Sequence, residues 1–556
     1  MRQSRGNVQS PSAGLRTYTF GPLSASEEDD SCTRHASLMN SPCYRLNRRS
    51  FLVTTSSLAA AALWSTRALA SVVTAPKFSA YPFTLGVASG DPTSSGVVLW
   101  TRLAPKPLED GGMPPDDIEV SWQVGEDEGM TQIVASGTTI ANHEWAHAVH
   151  VEVEGLRPDR WYWYQFKAGP EVSPKGRTRT MPAADVLPDR LRFAFASCQH
   201  FEAGFYTAYE HMLREDLDLV VHLGDYIYEG KAQDNRVRRH LGGETITVQD
   251  YRRRYALYKT DPALQAMHAA APWIVTWDDH EVENNYAADV PEKKGVPRPR
   301  FLRRRAAAYK AYYEHMPLRR SALPKGPDLT LYRQLAFGRL ASFNVLDTRQ
   351  YRSDQACGGL RQPQCPEALS PDRTLMGAAQ REWLLDSLGK STATWNVLAQ
   401  QVMMAKVDRA PGEAEVYVMD QWPGYEADRR RVLKFLHERK VSNPVVLTGD
   451  IHSNWANELI ADFDDLDSQG VATEFVGTSI SSGGDGKLIV PERDRMQSEN
   501  PFVKFHSAER GYVRCEITPK HWRTDYRAIE YVTRKGAPLV TRATFTVESG
   551  RPKLQS

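Results

Sequence analysis

Four short stretches of this 556-residue chain place metal-competent side chains directly behind apolar runs: Ser197-Cys-Gln199, Gly224-Asp-Tyr-Ile-Tyr-Glu229, Asp278-Asp-His-Glu281 and Gly449-Asp-Ile-His-Ser453. Each alone is a weak signal, because Gly-Asp and Asp-His pairs occur in ordinary turns, but four in one body form a pattern. Together they offer a thiolate, several carboxylates, a phenolate and imidazoles. A lone structural divalent site needs fewer donors, and a serine triad needs a nucleophile elbow that is not found here. Mixed sulfur, oxygen and nitrogen donors with surplus carboxylates suit a redox-capable metal such as iron beside an oxygen-loving one such as calcium. The chemistry that wants such a cluster is in-line displacement at phosphorus, with metals roughly 3.5–4 Å apart clamping the attacking and leaving oxygens. The residues themselves therefore read as a phosphoester hydrolase.

A phosphate dianion also wants a fixed cation. Arg349, in Leu346-Asp-Thr-Arg-Gln-Tyr-Arg352 behind a strand, is the first candidate, since a guanidinium binds phosphate oxygens bidentately; a surface salt bridge is the alternative. Asn284 and Asn285 follow the third stretch closely enough to be ligands or phosphate donors. The glycine-rich segment 477–486 can approach a ligand, but it lacks a P-loop lysine and a following helix, so it is not read as a nucleotide site. The run Arg303 to Arg305 reads as a solvated helix face, Cys515 as a small buried hydrophobe, and Tyr226 and Tyr286 as packing residues.

To bring the four stretches together, the runs before them must be strands of one sheet. Strands are expected over residues 191–196, 217–223, 273–277, 340–346, 395–400, 445–448, 475–478 and 513–518, with helices over 205–214, 251–271 and 300–315. That alternation predicts an α/β fold, a layered body over residues 191–534 with ligands at the carboxyl ends of its strands. Ahead of it, residues 78–181 show short alternating runs broken by Gly, Pro, Ser and Asp, which predict an antiparallel β-sandwich. Residues 182–189 read as a linker and 535–556 as a C-terminal tail.

With 41% apolar and 25% charged residues the chain is globular. Lys+Arg 69 against Asp+Glu 68 leaves no global field for nucleic acid or an acidic membrane, so no stable nucleic-acid partner is expected. Cys357 and Cys365 are spaced for a loop-closing disulfide in an oxidising compartment. Asn47-Arg-Arg-Ser-Phe-Leu52, a diluted apolar run and Ala68-Leu-Ala70 read as a signal peptide over residues 47–70, too short to span a bilayer. Residues 1–46 read as a disordered leader or a mis-assigned start, with Met39 expected as the true one in the second case. The mature chain is expected in the periplasm or outside the cell, as a monomer without a transmembrane anchor.

Taken in order, Gly224-Asp-x-x-Tyr228, Asp278-Asp-His-Glu281 and Gly449-Asp-x-His452 resemble the calcineurin-like metallophosphoesterase superfamily, where the last two read Gly-Asn-His-Glu and Gly-His-x-His. Ser197-Cys-Gln199 in place of Asp-x-His, the Leu346 to Arg352 stretch, Gly477-Thr-Ser-Ile-Ser-Ser-Gly483 and the preceding sandwich narrow the resemblance, over residues 78–534, to the PhoD-type alkaline phosphatase/phosphodiesterase family. The turn before Trp161-Tyr-Trp-Tyr is similar to that of a fibronectin-type module, and Arg48-Arg49 with Phe51-Leu52 to the signal read by the twin-arginine export machinery. The family resemblance implies Fe3+ with Ca2+ and small phosphomonoester and phosphodiester substrates. Carried over by position, it makes Cys198 and Tyr228 iron ligands, Asp225 the bridge and His452 the residue completing the iron shell. Asp279, or Asp278 in its place, and Asp450 face calcium. His280 contacts the scissile phosphate and protonates the leaving oxygen, or merely orients a neighbour. A phosphodiesterase specialised for phospholipids or nucleic acid is the runner-up. A catalytically inactive secreted binding protein is the reading from another class, though the loss of ligands that would mark it is not visible. An iron redox protein would need a two-histidine-one-carboxylate set that is not recognisable.

Overall fold

The structure, a computed structural model, describes residues 71–556, so the expected signal peptide and the leader before it lie outside the described residues. Parallel strands covered on both faces need apolar residues at every position, and their side chains then divide between two cores. In Leu191–Ala196, Phe193 and Phe195 enter a central core while Ala194 and Ala196 enter an outer one. Leu219–His222, Trp395–Ala399 and Pro444–Thr448 divide in the same way.

Leu191–Ala196, Leu219–His222 and Trp273–Val275 run parallel to one another, as do Ala341–Val345, Trp395–Ala399, Pro444–Thr448 and Gly470–Val476. Two antiparallel strands, Asn454–Ile460 and Val503–Ile517, join the parallel halves into one sheet. The sheet folds back on itself, so that Phe193 meets Phe343 at 5.4 Å and Trp522 at 5.7 Å in edge-on contacts across the central core. Helices Val248–Lys259, Pro262–Ala270 and Arg298–His315 cover one outer face, and Gly377–Lys390 and Glu426–Arg439 the other. The carboxyl ends of both halves meet at one edge. There Thr276 Oγ1 donates to the Leu346 carbonyl at 2.9 Å and Gln401 Nε2 donates to Thr276 Oγ1 at 3.0 Å.

Several expectations change. The helix expected over 251–271 is two, because Asp261 caps a new N-terminus at Ala263 and Leu264 with Pro262 in the first turn. The tail expected over 535–556 contains the strand Leu539–Glu548, paired antiparallel with His521–Ile529 and placing Phe545 and Val547 in the central core. Its polar outer positions hid that alternation. Of the arginine run, only Arg303 is exposed. Arg304 is buried between Glu283 at 3.1 Å and Glu244 at 2.9 Å, and Arg305 donates to the Ala288 and Pro327 carbonyls, because the helix is covered on more of its circumference than its charge suggests.

The N-terminal β region does form two facing sheets, with Val120, Val124 and Tyr164 on one meeting Val97, Leu99 and Val151 on the other. Residues 182–189 carry no strand or helix, as a linker does, but the region before them is not a separate body. Gly90 pairs with Trp273, so one of its sheets continues into the large sheet and the described residues form one compact unit. A Cβ at Gly90 would stand 2.7 Å from the Trp273 carbonyl, which only glycine avoids.

Candidate metal centre

All four stretches identified from the sequence lie at the shared edge. Neighbouring strand ends are tied by backbone bonds: Cys198 N donates to the Gly224 carbonyl and Gln199 N to the Asp225 carbonyl, both at 3.1 Å. From the other half, Ser197 bridges to Ser479. Cys198, Asp225, Asp450 and His452 all have positive φ, between 52° and 63°, a conformation that costs a non-glycine residue energy and turns each side chain out of its strand direction.

The side chains form two overlapping groups. Cys198, Asp225 and His452 offer ligand atoms within 4.8 Å of one another, and so do Asp225, Asp279 and His280, with Asp225 common to both. Tyr228 completes the first group. Its hydroxyl donates to Asp225 Oδ2 at 2.8 Å and lies 3.1 Å from His452 Nε2 and 2.7 Å from Ser482 Oγ. Asp278, Asp279 and Asp450 form a third, all-carboxylate group. The choice between Asp278 and Asp279 therefore stays open in the geometry, since both are present and buried.

These groups fit cations better than they fit each other. Asp225 Oδ1 and Asp278 Oδ2 are buried without a hydrogen-bond partner, a state costly for a carboxylate oxygen unless a cation meets it. Burial, and then neighbouring carboxylates, push Asp225 and Asp450 well above the usual carboxylate range. Burial and the Asp225 charge likewise push the Cys198 thiol and the Tyr228 phenol up, so both anions need a compensating positive charge. The thiol and imidazole of the first group suit a transition metal, and the bare carboxylates of the third suit a hard, oxygen-loving cation.

His280 is held by Glu229, whose Oε2 lies 2.6 Å from His280 Nδ1. Burial alone would lower the imidazole, but Glu229, Asp279 and Asp225 together raise it well above its ordinary value. Arg349 also reaches the centre. It is fully buried, donates through Nε to Asp278, and reaches Asp420 at 2.9 Å and Asp450 at 3.1 Å. Carboxylates thus surround it, and it braces them from behind instead of standing free or lying in a surface salt bridge. Asn285 N donates to Asp279 Oδ2, whereas the Asn284 side chain turns to Glu292.

Sequence reasoning gave no role to the supports. Glu281 accepts the backbone N–H groups of Asp225, Tyr226 and Asp278 at 3.1, 2.6 and 2.9 Å, locking two strand ends together. Asp420 binds Arg349 and Arg352, and those cations outweigh burial to hold it well below the usual carboxylate range. Arg510 donates to the His452 carbonyl and to Ser479 Oγ. Glu229 and Glu281 stood in quoted motifs, while Asp420 and Arg510 had no local signal. Tyr226, bonded to His268, and Tyr286, bonded to Tyr309, pack as expected, and so does Cys515. Cys357 and Cys365 form the expected disulfide.

A cavity of about 1540 Å³ opens beside the centre, lined there by Asn285, Asp420, Asp450 and His452. Among the described residues no helix is long and apolar enough to cross a membrane.

Comparison with known proteins agrees with this arrangement. The PhoD-like phosphatase family matches residues 193–526, and the PhoD-like phosphatase N-terminal domain matches residues 68–182. Alkaline phosphatase D of Bacillus subtilis (strain 168) is 53% identical over 486 residues, covering 86% of this chain and 83% of that protein. A solved structure described as that of PhoD, also 53% identical, superposes with a TM-score of 0.85 and covers 86% of this chain and 93% of its own. With both domains matched in order and a relative 53% identical over most of its length, the chain belongs to the PhoD-like phosphatase family.

Proposed function

We propose that the protein releases phosphate from phosphomonoesters and also cleaves phosphodiesters, with Fe3+ and Ca2+ as its metals. That it is a phosphoester hydrolase of the PhoD type follows from its family. The finer assignment rests on one observation: Cys198, Tyr228 and His452 converge with Asp225, whose second carboxylate oxygen is buried and unpartnered. In this reading Cys198, Tyr228, His452 and Asp225 hold iron, and Asp225, Asp279 and Asp450 hold calcium. The metals, when bound, supply Lewis acidity and a nucleophilic oxygen near neutral pH.

The chain's own residues do the rest. Glu229 fixes Nδ1 of His280, so that Nε2 is the atom that gives a proton to the leaving oxygen. Arg349 positions Asp278 and Asp450. The cavity has room for both alcohol sides of a diester, which favours neither ester class. With a ligand at every motif position, the inactive binding protein has nothing in its favour.

The same proposal covers the fold and the route of the protein. The Tyr162 hydroxyl accepts from Arg157 N at 2.9 Å, a tyrosine corner that supports the fibronectin-like reading of the N-terminal sheets. The folded-back sheet with its ligands at one edge supports the calcineurin-like metallophosphoesterase reading of the body. The Cys357–Cys365 disulfide supports an oxidising compartment, hence export by the twin-arginine route to the periplasm or beyond. We read the mature protein as a monomer.

The test is elemental analysis of protein exported by its own signal, paired with hydrolysis of a chromogenic monoester and diester before and after calcium chelation. Iron with calcium, a violet to brown phenolate band and activity lost on chelation are expected. Full metal occupancy without hydrolysis of either ester refutes the function. Zinc in place of iron leaves hydrolysis standing and removes the thiolate and phenolate assignment.

A further inference from the structure

The cavity beside the metal centre has two unlike ends. Asp420 and Asp450 line it next to the metals, whereas Arg361, Arg409 and His506 line it elsewhere. Arg409 is half-buried on this wall and has no carboxylate partner. Its guanidinium lies 4.3 Å over the Trp455 ring, its nearest polar contact is Met496 Sδ at 3.4 Å, and its buried Nε has no partner. Against the same indole, 4.0 Å between ring centroids, His506 is 6% exposed and its Nδ1 is likewise unpartnered. Trp455, three residues along the chain from His452, is itself pinned by a 2.8 Å bond from Nε1 to Ser453 Oγ.

A buried guanidinium nitrogen without a partner is costly, and the most buried arginines find one: Arg349, Arg352 and Arg429 each meet an acid, while Arg102 and Arg254 donate to carbonyl oxygens. Burial lowers Arg409, and the like charge of Arg361 adds to that. An anion placed against Arg409 would satisfy Nε and take bidentate contact from the guanidinium, and His506 stands within the same wall to receive a hydroxyl or donate to an oxygen. We propose that Arg409, Trp455 and His506 form a second anion subsite, which holds a phosphate carried by the alcohol portion of the substrate while the scissile phosphate lies at the metals. The preferred substrates are then esters bearing two phosphates, one cleaved and one held. The inference rests on the phosphoester-hydrolase reading of the metal centre.

The probes are bisphosphates of straight alkanediols of increasing length, compared with alkyl monophosphates of the same length. The ratio of kcat/KM for bisphosphate over monophosphate is expected to pass through a maximum at one chain length, carried mainly by KM, and to fall with ionic strength. R409Q should lower that maximum ratio by about tenfold or more, the usual worth of a charge-assisted contact to a guanidinium. R361Q, on an exposed residue, lowers it less and carries the test should R409Q fail to fold. A ratio near one at every length, or an equal loss on both substrate series in R409Q, overturns the subsite. If neither series is hydrolysed, the metal-centre reading fails instead. Calorimetric binding of the bisphosphate to parent and R409Q protein then still decides the subsite, because equal affinities would refute it.

Discussion

Glu229→Gln tests the working assignment of His280 without touching a proposed metal ligand. In the structure one carboxylate serves two donors: Oε2 lies 2.6 Å from His280 Nδ1, and Oε1 accepts from Asn284 N at 2.9 Å. Glutamine has one acceptor oxygen for those two donors, and it has no charge. A hydrogen bond to a charged partner is worth about 1.5–3 kcal/mol, and 1.36 kcal/mol corresponds to one pKa unit, so the imidazole should fall by about one to two units. The His280 proton is the one the leaving oxygen needs, so the alkaline limb of the kcat/KM profile should move down by the same amount. Stability follows the same sign. A histidine raised in the folded state contributes stability that is full below its unfolded value near 6.5 and is lost as pH rises through the folded value. In the variant that loss comes at lower pH. The assay is a pH–rate profile with a chromogenic monoester, with metal content measured in parallel. An alkaline limb that stays in place, with full metal occupancy, refutes His280 as the proton donor.

Three other outcomes follow from named contacts. Cys198→Ser keeps a small buried side chain but removes the thiolate, so iron per chain, measured after dialysis, should fall at least tenfold while the fold survives in circular dichroism. Gly224→Ala should cost more than about 3 kcal/mol in urea denaturation, since φ is +107° and a Cβ would stand 2.4 Å from Asp278 N. Lys259, 1% exposed and 4.2 Å over the Trp100 ring, is lowered by burial to about 7. Between that value and the usual 10.5 the unfolded chain binds the extra proton, so the parent gains stability as pH rises through this window. Lys259→Met should therefore be more stable than the parent by about 2–4 kcal/mol at pH 6 and lose most of that advantage by pH 10.

How much of the centre was legible depended on how local its signals were. Cys198, Asp225, Asp279 and Asp450 each sit within a few residues of a continuous apolar strand, so pattern and chemistry appear in one window. Asp420 follows only the two-residue strand Tyr417–Val418 and meets Arg349 through the fold, 71 positions away. Arg510 lies inside the fifteen-residue strand Val503–Ile517, whose alternation reads as a sheet edge and says nothing of His452. Arg349 was correctly drawn to the site because its stretch follows a strand. A sequence shows its charge and not the acids that fold around it, Asp278, Asp420 and Asp450. The strand Leu539–Glu548 was missed for the converse reason, as threonine and arginine on its outer face masked its inward Phe545 and Val547.

The positive φ values give those local signals a common cause. A residue leaving a parallel strand continues outward unless its backbone turns, and glycine is the usual means. Here Gly224 and Gly449 begin the turns, but the next residues, Asp225 and Asp450, are themselves left-handed, as are Cys198 and His452. Four non-glycine residues in that region cost on the order of a few kcal/mol together. The cost is offset by supports that hold the backbone of these turns: Glu281 on three N–H groups, Arg510 on the His452 carbonyl, Ser482 on the Cys198 carbonyl. Those supports leave the ligand atoms of Cys198, Asp225 and His452 free to face one another. Removing a support should therefore loosen the centre without removing any ligand, so that Glu281→Leu loses metal and stability together even though Cys198, Asp225, Tyr228 and His452 all remain.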